Sequence, residues 1–488
     1  MLQDLIQDRQ KKLENIKKAG INPFLDKGLR THLIAQVLKD FDSLVEKEEK
    51  VSLCGRLKAI RGHGGLKFID LEDESGKIQS VLRKNLLGLK KYQIFENFDI
   101  GDFLEINGVL FTTQKGEKTL AVSQFRMLSK SLRPLPEKWQ GLKDIEKKYR
   151  KRYLEFVMDR TAREKFKKRA QIIDAIRDFL TNNGFLEVET PVLQTKASGA
   201  LAKPFKTYHN ALDMEVFLRI APETYLKRLV VGGFEKVFEF ARVFRNEGLD
   251  PSHLQDFTML EFYQAYSNYQ DLMQMTEEMF VYLLQNLFGK TVIEYQGKKF
   301  DFTPPYPRKS FQKLILQETG IDILKHKKVA DLQKEIKAKK IKLEYDENIG
   351  LGNLIDLLYK KTVRPKLIQP VFLIGHPIDI SPLARKNDQN PKIVDRFQLV
   401  VNTWEMVNAY SELVDPLDQR ARFEEQSQAR EKGDEEAHIM DDDYLLAMEY
   451  GMPPIAGWGM GIDRLTAFLT NQENLRDVVL FPLMRSKG

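Results

Sequence analysis

The sequence predicts an α+β protein in which a small N-terminal β-barrel precedes a larger unit of mixed helices and strands. Two observations support this prediction. Short strand-like runs separated by turn signals fill the segment 51–127. Beyond about residue 150, helical periodicities alternate with strand-like runs over the rest of the chain. The length of 488 residues is compatible with roughly three domains.

Composition and charge exclude several classes of protein. Lys and Arg number 77 against 70 Asp and Glu, and the net charge of +7 is a mild excess that suits a polyanionic partner without requiring one. The single cysteine, Cys54, excludes an intrachain disulfide framework and a cysteine-rich zinc site, and it suits a reducing compartment. We find no run of about 18 apolar residues, and charges from Asp4 onward interrupt any secretory apolar core. We therefore expect a cytoplasmic protein without a membrane partner.

The first element, in the segment 1–48, is predicted to be a helical extension. Apolar residues recur at helical spacing over the first positions, with Lys and Arg between them, and Gly20 and Pro23 end the helix. We interpret this segment as an amphipathic helix that lies on a neighbouring domain. Contact of its lysines with an RNA backbone is the alternative.

The barrel is predicted to span 49–130. Its helical segment, 85–96, falls between the third and fourth of five strands, which are Val51–Leu57, Leu66–Leu71, Ile78–Arg83, Phe103–Phe111 and Thr119–Met127. Five strands with one helix in this position are typical of an OB-fold, whose face commonly binds oligonucleotides. On pattern alone, another small barrel is an open alternative.

The segment 131–150, with Pro134, Pro136 and a run of charges, is predicted to link the barrel to the large unit 151–488. A helix is predicted at 163–183, where Asn183 and Gly184 end it. The helix-rich span 270–365 is predicted to be an insertion. Further helices are predicted at 418–432 and 462–470, and strands at Val216–Ile220, Val237–Phe244, Phe257–Tyr266, Val371–Ile374 and Phe397–Tyr410.

Three segments of the large unit carry residues suited to chemistry. The first, Gly184–Pro191, is a helix end followed by a strand; the second runs from Phe244 to Tyr263 through a loop; the third, Gly457–Arg464, opens a helix. In order, spacing and content they resemble motifs 1, 2 and 3 of the class II aminoacyl-tRNA synthetases. The resemblance covers practically the whole chain. It implies a catalytic domain built on an antiparallel sheet flanked by helices, behind an OB-fold that binds the anticodon.

The resemblance implies an ATP site, and the chemistry of amino-acid activation agrees with it. Attack of a carboxylate on the α-phosphate of ATP brings two anions together, so positioning and cationic side chains supply the catalysis without a protein base. Arg245 and Arg464 match the arginines of motifs 2 and 3. Glu247 matches the acidic residue near the adenine amino group, Phe257 the stacked ring, and His253 a further ATP-binding position. Alone, Arg245 would be read as a surface ion pair.

Carboxylates indicate the amino acid. The positions that match the substrate pocket of lysyl-tRNA synthetases are Gly199, Glu223, Glu261, Tyr263, Asn408, Tyr410 and Glu412. Three carboxylates suit a ligand with two ammonium groups, whereas an aspartate or asparagine pocket needs cationic or amide groups. The resemblance implies that Glu412 and Tyr263 hold the ε-ammonium and Glu223 the α-ammonium, that Glu261 adds negative field, and that Asn408 and Tyr410 shape the wall. Pairing of Glu223 or Glu261 with a neighbouring arginine is the alternative.

A trio in the predicted barrel, Arg61, Phe68 and Gln79, matches residues that contact the central anticodon base in the aspartate, asparagine and lysine enzymes. An aromatic ring stacks on a base, and an amide reads a Watson–Crick edge. A single phenylalanine on a barrel strand is otherwise more often a core residue. The trio therefore supports the subgroup, whose anticodons share a central U, and not lysine itself.

The sequence departs from the family pattern at two positions. Many members carry an arginine before His253, where this chain has Ser252, so one phosphate contact is expected to be missing or supplied by a neighbour. Glu405 matches a Mg²⁺ ligand, but its companion glutamate, seven residues earlier, is Gln398. An amide oxygen still coordinates Mg²⁺ but adds no charge, so a weaker metal site is expected.

The resemblance further implies Mg²⁺ as cofactor, with ATP, L-lysine and tRNA(Lys) as substrates, and a homodimer formed through motif 1. An asparaginyl- or aspartyl-specific sibling is the first alternative, and the acidic pocket disfavours it. A lysine ligase that modifies a protein is the second, but such relatives lack the OB barrel. A tRNA-binding paralogue with a dead site is the third. The intact Arg245, Glu247, Phe257 and Arg464 speak against it, while Ser252 and Gln398 leave some room for it.

Overall fold

A computed structural model describes residues 2–136, 144–200, 202–248, 250–346, 349–431 and 440–485. The chain divides into two compact units, Met1–Lys143 and Asp144–Gly488. The division falls inside the segment 131–150 that was expected to be a linker, and residues 137–143 of that segment lie outside the described residues. At the end of the segment the chain is already helical, over Ile145–Arg150.

The first unit contains the predicted five-stranded barrel, which is closed and has the strand order β1-β2-β3-β5-β4. Two short helices occupy the expected place between the third and fourth strands. The elements are α1 (Leu2–Lys18), α2 (Ile34–Lys39), α3 (Phe41–Glu46), β1 (Val51–His63), β2 (Leu66–Glu72), β3 (Lys77–Arg83), α4 (Lys84–Leu87), α5 (Leu89–Ile94), β4 (Phe103–Thr112) and β5 (Lys118–Ser129).

Strand β1 continues six residues beyond its predicted end at Leu57. A register shift between Leu57 and Ala59 bends the strand, and the continuation pairs with β2 as far as His63 opposite Leu66. Along β2, alternate residues point to opposite faces. Ile69 and Leu71 are therefore fully buried in the barrel core, while Phe68 lies outside that core cluster.

The second unit is built on an eight-stranded sheet in the order β14-β15-β16-β17-β18-β11-β10-β6, which is antiparallel except at the pairs β14/β15 and β10/β6. Its strands are β6 (Leu186–Glu187), β7 (Leu193–Gln194), β8 (Lys206–His209), β9 (Met214–Leu218), β10 (Lys236–Phe244), β11 (Asp256–Ala265), β12 (Val292–Tyr295), β13 (Lys298–Asp301), β14 (Arg308–Ser310), β15 (Val371–Ile374), β16 (Arg396–Val401), β17 (Trp404–Ser411) and β18 (Ile455–Gly461). Strands β7–β9 and the hairpin β12–β13 form separate small sheets.

The helices of the second unit are α6 (Ile145–Arg150), α7 (Arg152–Met158), α8 (Thr161–Asn182), α9 (Glu223–Val231), α10 (Tyr269–Phe288), α11 (Phe311–Thr319), α12 (Val329–Ala338), α13 (Leu351–Thr362), α14 (Pro416–Glu431), α15 (Asp442–Glu449) and α16 (Ile462–Leu469). As predicted, α8 ends at Asn183, and Gly184 follows with the positive φ that glycine tolerates best. No helix of the described residues combines the length and apolarity needed to span a membrane.

One face of the large sheet is covered by α8 and α10, which form the main core with it. Phe262 of β11 stacks on Trp458 of β18 with ring centroids 4.8 Å apart, and the indole nitrogen donates to Thr276 of α10 at 2.9 Å. Because side chains alternate along a strand, the neighbouring residues of β11 and β18 point to the opposite face. That opposite face carries the candidate site.

Two predicted elements differ in the structure. The single strand expected over Phe397–Tyr410 is a hairpin, β16 and β17, because Asn402 and Thr403 adopt positive φ and reverse the chain. The span 270–365 is helix-rich, but it also contains β12, β13 and β14. Within this span, α10 packs in the main core and β14 forms the edge of the large sheet. These two elements are therefore part of the central fold and not of an insertion.

Candidate active site

The register of three central strands brings the predicted pocket residues together. Glu261 of β11 and Asn408 of β17 lie on either side of Gly459 of β18. Two residues further along each strand, Tyr263 and Tyr410 lie on either side of Gly457. The side-chain period of a strand is two residues, so both rows face the same side of the sheet. The result is a glycine floor between walls of polar side chains.

The glycine at 457 is required by close packing. A Cβ atom at this position would overlap Glu412 Oε1 and the ring of Tyr263. Gly459 has more room, since a Cβ there would lie 3.6 Å from Cγ of Glu261. The bare backbone of β18 therefore leaves the space in which Glu412 and Tyr263 converge.

Gly199 forms part of the wall through its backbone. Its φ of +91° is in the region that favours glycine, and a Cβ there would lie 3.0 Å from Cβ of Glu223 and 3.2 Å from Cβ of Ala221. Glu223 is the first residue of α9, directly after Pro222. The turn at Gly199 thus packs against the residue that begins the helix.

The three predicted carboxylates are all buried: Glu223 is 5% exposed, Glu261 6% and Glu412 1%. Tyr410 donates its hydroxyl to Glu223 at 2.8 Å, and Tyr263 donates to Glu261 at 3.0 Å. No arginine of the described residues is ion-paired with them. Among the described residues, neither oxygen of Glu412 has a partner in good hydrogen-bond geometry; Oε2 forms an ion pair with Lys227, and Oε1 has no contact of either kind. A buried carboxylate oxygen without a donor is costly, and it marks a place where a ligand donor fits.

Lys227 is a pocket residue that the sequence analysis missed. Its ammonium donates to Glu223 at 2.5 Å and also forms an ion pair with Glu412. It lies four residues after Glu223 on α9, a spacing that brings two side chains onto one helix face. That spacing was the available signal, but i,i+4 Glu–Lys pairs are common on exposed helices and do not by themselves indicate a pocket.

Burial and charge shift the titration of the pocket groups. Burial and the adjacent Glu223 raise the pKa of Glu261 to about 8. Burial likewise raises the pKa of Glu412 well above its usual value, although Lys227 opposes the shift. Burial alone would lower the pKa of Lys227, but Glu223 and Glu412 raise it above its ordinary value. The free pocket therefore holds one fixed ammonium, and its Glu261 and Glu412 carboxyl groups bind protons more tightly than usual.

Three of the predicted ATP residues, Arg245, Phe257 and Arg464, lie beside this pocket. The Arg245 guanidinium lies 5.2 Å from the ring centroid of Phe257, and its Nε donates to the Ile220 carbonyl at 3.3 Å. Arg464, at the start of α16, donates to the Glu405 carbonyl. Within the described part of the chain neither guanidinium has an ion pair with a carboxylate. Both positive charges are therefore available to an anionic ligand, and Arg245 is not a surface ion pair.

In the loop of the second motif, His253 contacts Asp250. Asp250 accepts from Ser252 Oγ at 2.7 Å and contacts His253 Nδ1 at 2.6 Å. Burial opposes ionisation of Asp250, but these hydrogen bonds lower its pKa to about 2. His253 is exposed in this arrangement, and Glu247 is half-buried nearby in sequence. Ser252, which replaces the arginine of the family pattern, therefore donates a hydrogen bond within the loop.

The proposed metal pair is arranged differently from a two-carboxylate site. Gln398 donates its amide to Glu405 Oε2 at 2.7 Å, and its amide oxygen lies 3.2 Å from His376 Nε2. Because a carboxylate only accepts hydrogen bonds, Gln398 must present its NH₂ group to Glu405 and turn its oxygen away. Among the described residues no cluster of three or more His, Cys, Asp or Glu side chains fits a metal ion. The amide of Gln398 is thus used in a hydrogen bond to Glu405, and its oxygen does not join Glu405 in a shared ligand pair.

The barrel trio lies on one outer face. Arg61 is opposite Phe68 on the β1/β2 pair, and Gln79 is opposite Asp70 on β2/β3. Arg61 donates to Asp70 at 2.6 Å, and Gln79 donates to Thr119 at 2.9 Å. Phe68 is half-buried and lies outside the barrel core cluster, which speaks against the core interpretation of this ring. The ring faces outward between polar neighbours, as a stacking platform requires.

Comparison with known proteins identifies both units. Residues 144–485 match the family of tRNA synthetases class II (D, K and N), and residues 51–128 match the OB-fold nucleic acid binding domain. A lysine–tRNA ligase of Carboxydothermus hydrogenoformans is 48% identical over 486 residues, which cover 100% of this chain and 99% of the relative. Those of Pelotomaculum thermopropionicum (46% identical, 100% and 96% covered) and Bacillus cytotoxicus (45%, 100% and 98%) are also similar. The chain belongs to the class II tRNA synthetases of the aspartate, lysine and asparagine group, in the family of the lysine–tRNA ligases.

Proposed function

We propose that this protein is an ATP-dependent lysine–tRNA ligase. It activates L-lysine with ATP to lysyl-adenylate and pyrophosphate, and it then transfers lysine to the 3′-terminal ribose of tRNA(Lys). The observation that carries the choice of amino acid is the buried trio Glu223, Glu261 and Glu412, in which Glu412 Oε1 has no partner among the described residues. Such a pocket selects a ligand with two ammonium groups and rejects an anionic or amide side chain, because that side chain would leave buried carboxylates unpaired.

Within this proposal, each pocket residue has a distinct contact with lysine. Glu412 and Tyr263 hold the ε-ammonium, and Glu223 holds the α-ammonium. Glu261 adds negative field below the side chain. Asn408 accepts from Arg396 at 2.8 Å, which fixes its side chain, and it shapes the wall of the pocket together with Tyr410 and Gly199.

The activation step joins the lysine carboxylate to the α-phosphate of ATP with pyrophosphate as the leaving group. Arg245 lies beside the pocket without a carboxylate partner among the described residues, and it bridges the two anions. Arg464 holds the γ-phosphate and the adenine face, Phe257 stacks on the base, Glu247 accepts from its amino group, and His253 contacts the phosphates. Positioning and positive charge lower the barrier, since the nucleophile is already ionised.

We propose Mg²⁺ as the cofactor, bound through ATP phosphates and Glu405. When bound, it offsets charge on the phosphate oxygens. Gln398 hydrogen-bonds Glu405 and thereby orients the carboxylate, a supporting role in place of the ligand role expected from the family pattern.

We also propose that the barrel binds the anticodon through Arg61, Phe68 and Gln79. Phe68 stacks on the central base, and the amide of Gln79 reads its edge. Arg61 is 58% exposed at its side chain although it contacts Asp70, so the guanidinium is accessible to an RNA phosphate.

A homodimer through motif 1 is part of the proposal, as is a cytoplasmic location. Motif 1 and the residues just after it leave apolar side chains exposed on the second unit: Leu186 (49%), Val192 (40%) and Leu193 (49%). Exposed apolar groups near one sheet edge favour association with a second copy. The single Cys54 suits a reducing cytoplasm.

The test is ATP–pyrophosphate exchange measured with each of the twenty amino acids, followed by transfer to tRNA. We expect strong exchange with lysine alone and transfer only to tRNA whose anticodon has a central U. Exchange with aspartate or asparagine and none with lysine would refute the lysine assignment. Absence of exchange with every amino acid would favour a tRNA-binding paralogue instead.

A further inference from the structure

A lysine of the protein itself sits between the two carboxylates that the proposed function assigns to the ammonium groups of the substrate. Lys227 is fully buried, donates to Glu223 at 2.5 Å and pairs with Glu412. One ammonium therefore spans the two carboxylates. The oxygen of Glu412 that Lys227 does not contact, Oε1, has no partner within the described residues.

Besides the two carboxylates, aromatic rings lie close to the Lys227 ammonium. Three aromatic rings face it at 5.7 to 5.8 Å, and an ammonium is attracted to such rings. They come from three different elements, β11, β17 and α15. The titratable groups facing Lys227 are Glu223, Glu412, Tyr263, Tyr410 and Tyr444, with Glu261 adjacent to Glu223.

We propose that Lys227 is a positioning residue for the amino-acid site, an internal counter-ion that fixes the orientation and charge of Glu223 and Glu412 before lysine binds. The inference rests on the proposed function. With one oxygen of Glu412 held by Lys227, the other is directed at the place where the ε-ammonium binds. With all three carboxyl groups ionised, one fixed ammonium leaves a surplus of two negative charges, which matches the two ammonium groups of lysine.

Removal of Lys227 has a specific physical consequence under this proposal. Two buried carboxylates facing each other without a cation repel, and one of them takes up a proton. Lysine then binds to a pocket whose ε-site is neutral, and it must displace that proton. Its affinity falls, and binding becomes more dependent on pH, while the ATP site is unaffected.

The experiment compares Lys227→Met, which keeps most of the side-chain volume without the charge, with Lys130→Met in the barrel. Lys130 is a matched control because it is also fully buried between two carboxylates, Asp99 at 2.5 Å and Asp102 at 2.9 Å, but lies in the other unit. Full-length protein is assayed by ATP–pyrophosphate exchange, and KM for lysine and for ATP is measured from pH 6 to pH 8.

We expect Lys227→Met to raise the lysine KM at least tenfold and to steepen its fall with rising pH, with the ATP KM changed less than twofold. Lys130→Met should leave both constants unchanged. A folded Lys227→Met protein with an unchanged or lowered lysine KM would overturn the inference. Should Lys227→Met not fold, Lys227→Gln, which still donates hydrogen bonds, replaces it with the same criterion. If neither folds while Lys130→Met does, Lys227 serves the fold and the inference is wrong.

The unsubstituted protein separates this inference from the proposed function. Exchange that does not respond to lysine in the unsubstituted protein refutes the function. A normal lysine response there, combined with an unchanged KM in Lys227→Met, refutes only the role of Lys227.

Discussion

Two buried lysines, each between two carboxylates, show how similar ion clusters serve different ends. Around Lys130 the acceptors are used. Asp102 accepts from Lys130 and from two backbone amides, and Asp99 accepts from Lys12 and Lys130. Around Lys227, one ammonium contacts two carboxyl groups, and Glu412 keeps an oxygen without a partner among the described residues. A cluster whose acceptors all have donors stabilises the fold, whereas a cluster with an acceptor that lacks a donor can bind a ligand that supplies one.

The titration of the two clusters differs only in part. In the barrel, hydrogen bonds from Lys12 and Lys130 outweigh burial and hold the pKa of Asp99 below its usual value, whereas burial raises the pKa of Asp102. In the pocket, burial and Glu223 raise the pKa of Glu261 to about 8. The barrel cluster has enough donors for its acceptors. The pocket lacks donors, and the missing donors are those that lysine brings.

The largest expected effect comes from Glu412→Gln. Loss of the charge leaves the substrate ε-ammonium partly buried without its counter-ion, at a cost of about 2–4 kcal/mol, so the lysine KM rises by roughly 30- to 1000-fold. The ATP KM changes little. Steady-state exchange kinetics measure both.

The matched change in the barrel is Asp102→Asn, which should separate stability from binding. It breaks a complete cluster, so the free energy of unfolding falls by about 3–5 kcal/mol and the lysine KM stays the same. Glu412→Gln should lower the unfolding free energy by less, because Lys227 keeps its hydrogen bond to Glu223. A stability loss in Glu412→Gln as large as that in Asp102→Asn would remove the contrast between the two clusters.

Phe68 extends the comparison to an apolar group. Its ring lies outside the barrel core cluster, so it is open to contact with a ligand, as Oε1 of Glu412 is in the pocket. Phe68→Ala and Gln79→Ala should weaken charging of tRNA, by about 1–3 kcal/mol for the lost stacking, and leave adenylate formation intact. Aminoacylation and exchange assays measure the two steps. Ile69→Ala is the neighbouring control, since it opens a cavity in the barrel core and destabilises that unit. Equal loss of both activities in Phe68→Ala would mean that the ring supports the fold.

The pH dependence of lysine binding tests whether the pocket lacks donors. With a pKa of about 8, Glu261 is mostly protonated at pH 7 in the free protein, and the ammonium groups of lysine favour its ionised form. Binding then releases a proton, so the lysine KM should fall as pH rises from 6 to 8, by up to about tenfold per pH unit. The charged and titratable groups that face Glu261 are Glu223, Glu412, Lys227, Tyr263 and Arg245.

The free energy of unfolding should change with pH in the opposite direction to the affinity for lysine. The folded protein keeps the Glu261 proton up to a pH of about 8, whereas the unfolded chain releases it near 4.5, so the free energy of unfolding falls as pH rises through that window. Glu261→Gln should flatten both profiles. A lysine KM independent of pH between 6 and 8 in the unsubstituted protein would contradict the prediction.

The smallest expected effect concerns Gln398, whose amide donates to Glu405 and whose oxygen lies 3.2 Å from Nε2 of His376. Gln398→Glu places a second carboxylate beside Glu405, and the two repel unless a cation lies between them. The Mg²⁺ concentration for half-maximal exchange should fall by a fewfold, with little change in the lysine KM. An unchanged or increased Mg²⁺ requirement would show that position 398 has no influence on the metal.

Much of the fold was accessible from the sequence because its elements carry strong local signals. Alternating apolar residues between glycine turns predicted all five barrel strands, and Asn183–Gly184 predicted the end of α8. The hairpin at Asn402 and Thr403 was missed because neither residue is a glycine, although both adopt positive φ. The continuation of β1 beyond Leu57 depends on a bulge, which follows from pairing with β2 and not from local propensity.

The site was accessible only in part. The motif residues Glu261, Asn408 and Gly459 are far apart in sequence, and their row on the sheet follows from register that no local pattern specifies. Lys227 and the orientation of the Gln398 amide were not predictable, because both depend on which acceptors tertiary packing leaves unpaired. Composition indicates that charges are present. Their pairing is decided in three dimensions.

The floor of the pocket limits how this enzyme can be altered to accept another amino acid. At Gly457 the strand already carries the smallest residue, so no substitution there can deepen the cavity. A single added carbon would occupy the space of the Glu412 carboxylate and the Tyr263 ring, and would obstruct the site from within. Redesign of substrate preference therefore has to change the side chains that line the pocket, such as Glu412 and Tyr263, because Gly457 has no side chain that could be shortened.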